Sequence, residues 1–128
     1  MANLLGTTYN QLFQLFGSRT ERTIGNNTKA VIDRDDLSIT VTLHGSPIVM
    51  LDPNGEISVS LAGWPTVTTR DRVNQFLPAA LGIFQRNHGQ HISLRVDGHT
   101  VVQPFPSSGW VTVASPEHGI EHAFVTQG

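Results

Sequence analysis

The sequence predicts an α+β fold: an antiparallel, hairpin-built sheet of about six or seven strands, with one or two short helices packed on it. Three observations carry this. In the middle of the chain Ile39, Val41 and Leu43 alternate with Ser38, Thr40 and Thr42, the period of a strand with one buried face. Turn signals punctuate such segments, above all Asp52-Pro53-Asn54-Gly55 and Asp97-Gly98, where proline presets a turn and glycine accepts a left-handed backbone. Helical spacing of apolar residues is confined to two short stretches, over residues 8–16 and 69–77,. The 128 residues amount to one domain, long enough to bury about two-thirds of the unfolded surface.

In order, the first element is a helix over residues 8–16. Tyr9, Leu12, Phe13 and Phe16 share a face, and Gly17 stands where a left-handed cap ends it,. Residues 18–27 read as a surface connector, with a short edge strand over 20–24 as the alternative. The strand over 38–43 turns through His44-Gly45-Ser46-Pro47 into a strand over 48–51, and the Pro-Asn-Gly turn leads to one over 56–61. In that register Leu51 faces Ile57 and Val49 faces Val59, while Met50 and Ile48 share the other face with Ser58 and Ser60. A second helix follows Gly63-Trp64-Pro65. Thr68 is its expected N-cap and Asp71 completes an approximate capping box. Val73, Phe76 and Leu77 form its buried stripe, and Pro78 stops it. Strands are expected over 82–86, 91–96 and 99–103, with turns at Asn87-His88-Gly89-Gln90 and Asp97-Gly98, and a last one over 110–113. The single domain 1–128 thus has a helix and connector over 1–27, a sheet with its inserted helix over 28–113, and a tail over 114–128.

Composition excludes several classes of function. Without cysteine there are no disulfides, thiol catalysis or thiolate metal sites. No apolar run approaches the ~18 residues that span a bilayer. Charged residues are 14% of the chain, with a net charge of −2, against roughly 25% in an ordinary soluble domain. Neither a membrane nor a nucleic acid is therefore an expected partner. Met1-Ala2-Asn3-Leu4-Leu5-Gly6 lacks the basic start and apolar core of a secretory signal, which predicts a cytosolic location. The outward strand positions Ser38, Thr40, Thr42, Ser58 and Ser60 carry hydroxyls and no edge lysine. Such strands are poorly defended against pairing, so a second copy of the chain is the expected cover.

No catalytic residue is marked, and no cofactor or metal is expected. His118-Gly119-Ile120-Glu121-His122 has the spacing of an inverted zinc-peptidase motif. A glycine interrupts it, Pro116 precedes it, and no acidic third ligand follows. His88, His91 and His99 sit beside turns near one sheet end and read as solvated residues rather than metal ligands. Asp33, Asp35 and Asp36 cluster between two strands, but with Arg34 among them and no calcium-loop glycine they read as a solvated turn.

The segment richest in ligand chemistry is Gly63-Trp64-Pro65-Thr66-Val67-Thr68-Thr69-Arg70-Asp71-Arg72-Val73-Asn74. It joins an indole, several hydroxyls, the free N–H groups of a helix start and two guanidiniums, a set suited to a flat, anionic ligand. The same residues equally serve as a core anchor, a cap and surface pairs. Together with Ile24-Gly25-Asn26-Asn27-Thr28, Val41-Thr42-Leu43-His44-Gly45-Ser46-Pro47-Ile48-Val49 and Asn54-Gly55-Glu56-Ile57, this segment resembles a group of small uncharacterised accessory proteins of tailed phages of actinobacteria. The likeness covers residues 24–77 and weakens over the later hairpins. Pro65 departs from that group, which has a hydroxyl or basic residue after the tryptophan. The resemblance implies a phage origin, an accessory role in the cytoplasm of an infected bacterium, and no catalytic residue. The leading expectation is a non-enzymatic binding module that captures an anionic small molecule, such as a nucleotide signal, or a host protein, to blunt host defence. Its ligand-binding residues would be Trp64, Thr66, Thr69, Arg70 and Asn74. The alternatives are a structural or assembly protein without ligand and, last, a histidine-dependent metal hydrolase.

Overall fold

The computed structural model describes residues 9–115 and bears out the α+β class, with two helices and nine strands in two antiparallel sheets among those residues. The elements are α1 (Tyr9–Phe16), β1 (Glu21–Gly25), β2 (Thr28–Ile32), β3 (Ile39–Leu43), β4 (Ser46–Leu51), β5 (Ile57–Val59), α2 (Val67–Asn74), β6 (Leu81–Arg86), β7 (Gly89–Val96), β8 (His99–Pro104) and β9 (Val111–Ala114). The larger sheet has the order β1-β2-β3-β4-β5-β9 and the smaller β6-β7-β8. One apolar cluster joins them, taking Val41, Val49 and Val59 from the first and Ile83, Ile92 and Leu94 from the second. No helix among the described residues is long and apolar enough to cross a membrane.

Helix α1 forms as its spacing predicts. Leu12 and Phe16 are buried, Tyr9 stacks on Phe13 at 5.9 Å, and Gly17 turns left-handed to end it. The Tyr9 hydroxyl donates to the Leu37 carbonyl at 2.6 Å and ties the helix to the β2–β3 loop. The stretch after it is the edge strand β1 rather than a connector. A strand paired on one side only needs little apolar sequence, and Ile24 is the single residue of β1 that is buried.

Strands β3, β4 and β5 form the expected meander, with Leu51 opposite Ile57 and Val49 opposite Val59. The Asp52 carbonyl accepts from Gly55 N–H at 3.0 Å, and Gly55 has a φ of 100°, as the Pro-Asn-Gly turn requires,. Ile48 departs from its expected face. Val41 pairs with Val49 but Thr42 with Pro47, so Ile48 is the extra residue of a β-bulge. The bulge breaks strict alternation and buries Ile48 and Val49 side by side,. Ser60 is also buried rather than outward, its hydroxyl accepting from Ala62 N–H at 3.0 Å. Ser58 lies on the partly exposed side, within 3.1 Å of the Thr112 hydroxyl on β9.

The smaller sheet is two tight hairpins. Asn87 and His88 both take positive φ, as do Asp97 and Gly98. Each pair makes a two-residue turn whose twist matches its strands. Gly89 and Gln90, expected in the first turn, therefore begin β7.

Candidate functional site

A cleft of about 540 Å³ opens between the β3–β4 turn and the segment that enters α2,. Leu43, Ile48 and Leu61 form its apolar floor, His44 and Ser46 one wall, and Ala62, Trp64, Thr66, Thr68 and Thr69 the other. Three local features shape it. The bulge turns Ile48 inward. Ala62 and Gly63, both left-handed at φ 56° and 76°, swing the chain off β5, and Gly63 N–H is held by the Ser107 carbonyl at 2.8 Å. Pro65 and the helix cap then set the direction of α2. The result leaves Trp64 65% exposed on the cleft wall, an indole that the core does not use. No Asp, Glu, Lys or Arg lines the cleft, and His44 is its one titratable residue.

The cap of α2 is Thr66, not Thr68. Thr66 is extended at ψ 166° and its Oγ1 accepts from Thr69 N–H at 3.2 Å. The cap falls two residues earlier because Thr66 is itself a good capping residue and Thr69 N–H, three residues on, reaches its hydroxyl,. The two threonine hydroxyls lie 3.1 Å apart, but Thr66 N–H bonds to the Trp64 carbonyl at 2.7 Å, so the reciprocal half of a capping box does not form. Asp71 is then beyond the first turn and completes no box.

Of the residues predicted to bind, Trp64, Thr66 and Thr69 line the cleft, though Thr69 is buried and bonded to the cap. Arg70 and Asn74 are held by the protein. Arg70 Nη1 reaches the Pro65 carbonyl at 2.7 Å, Gln90 Oε1 at 3.0 Å and Gln85 Oε1 at 3.2 Å. Asn74 Nδ2 donates to the Ile83 carbonyl at 2.9 Å and its Oδ1 accepts from Ile83 N–H at 2.8 Å. Both side chains thus fasten α2 to the smaller sheet. His44, Ser46 and Ile48 complete the cleft from a part of the chain whose sequence pattern shows only a turn and a strand. Pro47, expected in the turn, lies inside β4, where proline marks an edge or a bulge.

The family model described as Kyanoviridae Gp96 protein matches residues 9–112 of this chain. The chain belongs to that family. It is therefore a phage protein, and all residues of the cleft lie within the matched span. The match supports the phage part of the resemblance and does not reach its actinobacterial part. No curated protein and no solved structure matches the chain.

In this Kyanoviridae Gp96 family member no group of three or more His, Asp or Glu among the described residues is placed to hold a metal ion. His88 and His99 belong to turns at opposite ends of β7, not to one sheet end, because an eight-residue strand separates them. His91 instead stacks on Phe84 at 5.5 Å. Asp33 and Asp36 spend their carboxylates on the loop itself. Asp33 accepts from Asp35 N–H, and Asp36 accepts from Ser38 N–H at 2.8 Å and Ser38 Oγ–H at 2.7 Å. Those two bonds hold the Asp36 carboxyl below its ordinary range,. The motif from His118 to His122 lies outside the described residues.

Proposed function

We propose that this phage protein is a non-enzymatic binding module. Its cleft takes a ring-bearing small molecule of the nucleotide class, and by sequestering it in the infected cell withdraws a signal that host defence uses. The observation that carries this reading is the exposed indole of Trp64 on the wall of an uncharged cleft. A large aromatic surface left in water beside a concave apolar floor is suited to stacking on a flat ring. The Ser46, Thr66 and Thr68 hydroxyls and the His44 ring supply hydrogen bonds around it. The start of α2 adds N–H groups that have no partner within the helix and favour an anionic end of the ligand. Arg70, held by three oxygens, acts here by fixing the segment that presents Trp64.

The test is a fluorescence titration with purine and pyrimidine nucleotides in a Trp110→Phe background, which leaves Trp64 as the reporter. Saturable quenching is expected. Trp64→Ala should weaken binding measured by calorimetry by about 1–3 kcal/mol, roughly 5- to 150-fold. The melting temperature should barely move, since the side chain is mostly exposed. A panel that gives neither quenching nor heat up to millimolar ligand would support the second reading, a structural protein without ligand. That reading draws on the engagement of Arg70 and Asn74 within the fold.

A further inference from the structure

We infer that the outer edge of β8 is a self-pairing interface: two copies of this chain join β8 to β8, antiparallel, about a twofold axis at Val101. The four outer edges of the two sheets are not equally defended. At β1 charge guards the edge, with Glu21 paired to Lys29 at 3.3 Å and Arg22 beside it,. Strand β9 is only four residues long. The edge of β6 is closed by side chain and loop: Asn74 takes both backbone groups of Ile83, and the Pro78 carbonyl takes Leu81 N–H at 2.9 Å. No described residue pairs with the outer side of β8, and the strand His99-Thr100-Val101-Val102-Gln103-Pro104 carries no Asp, Glu, Lys or Arg. Val101 and Val102 are 45% and 38% exposed.

The ladder fixes which groups point outward. Phe105 N–H bonds to the Gln90 carbonyl, and the two-residue turn makes Val96 and His99 a bonded pair,. Along β8 the residues His99, Val101 and Gln103 therefore spend their backbone groups on β7. Thr100 and Val102 present theirs outward, and Pro104 presents a carbonyl without a donor. A twofold axis at Val101 sets Thr100 of each copy against Val102 of the other. Every outward N–H of the pair then meets a carbonyl, with no demand on Pro104.

The side chains fit a copy of this same strand. Val101 meets Val101, Thr100 meets Val102, and no like charges are opposed. In the same register His99 of the second copy stands across from Gln103, two neutral polar residues,. The two three-stranded sheets become one of six. The second copy expected from the hydroxyl-rich faces of the larger sheet is placed here on the smaller one.

Light scattering together with amide exchange tests this on the intact chain. At about 100 µM the protein should weigh twice its 13.9 kDa, and on dilution the Thr100 and Val102 amides should lose at least roughly tenfold protection. Val101→Lys, which sets two ammonium groups together at the axis, should give a monomer. Val102→Pro, which removes an outward donor and no bond to β7, should do the same, and circular dichroism confirms that each variant is folded. A wild-type monomer at that concentration overturns the proposal. So does a dimer that persists in both folded variants, or one whose Thr100 and Val102 amides exchange as fast as in the dilute sample. Full protection already at dilution overturns it too, since the edge is then covered within one chain.

Discussion

Asn74→Ala is expected to lower the unfolding free energy by about 2–4 kcal/mol, a drop in melting temperature of roughly 8–16 °C for a chain of this size. The carboxamide works as a one-residue strand, donating to the Ile83 carbonyl and accepting from its N–H. Ile83 is 3% exposed, so alanine leaves two shielded backbone groups without partners, which costs more than the bonds themselves contribute. Asn74→Asp separates bonding from shape. At pH 7 the new carboxylate still accepts from Ile83 N–H but opposes the Ile83 carbonyl, so the loss should match or exceed that of alanine. Facing a carbonyl raises the carboxyl pKa in the folded state above the unfolded value of about 3.9. Its stabilising form is the protonated one, which donates to the carbonyl. The stability is full below the unfolded pKa and is lost as pH rises through the folded one. Denaturation at pH 3 and pH 7 should therefore show this variant closer to wild type at the lower pH. An equal deficit at both would mean that the clasp is not what Asn74 contributes.

Arg70→Ala should cost about 2–3 kcal/mol in denaturant unfolding, with an unchanged denaturant slope. Three oxygens converge on Nη1, and one belongs to Gln90, a buried side chain whose amide also donates to Gln85 Oε1 at 3.1 Å. Removing the guanidinium strips the charged donor from that network and frees the Pro65 carbonyl, so the turn that presents Trp64 loses its tie to β7. Arg70→Lys should recover part of the loss, because a single ammonium cannot match the planar fork. Unaltered stability combined with abolished nucleotide binding would return the guanidinium to the ligand.

The two residues show what kind of information sequence holds about a site. Residues 63–74 stood out because an indole, hydroxyls and arginines crowd into a few positions, and the cleft does form against their first half. Which of them face the ligand was not legible. Arginine and asparagine beside a helix start bind anions or fasten the helix equally well, and the choice depends on whether acceptors arrive from elsewhere. Here Gln85, Gln90 and Ile83 arrive from the smaller sheet. The opposite wall of His44 and Ser46 was hidden for the same reason, since about twenty residues and two strands separate it from Trp64 in the chain,.

By itself the sequence determined the α+β class, the β3–β4–β5 meander and the register of β4 on β5, the end of α1 at Gly17 and the hairpin at Asp97-Gly98. Each follows from local physics: the two-residue period, proline's fixed φ, and glycine's freedom at positive φ. The tertiary structure alone decided that the strands divide between two sheets, that β9 returns to pair with β5, that Ile48 bulges into a cleft, and that one edge of the smaller sheet is closed by Asn74 while the other stays open. Those outcomes rest on backbone groups finding partners far along the chain. An unpaired N–H or carbonyl looks the same in every residue until the fold brings its partner near.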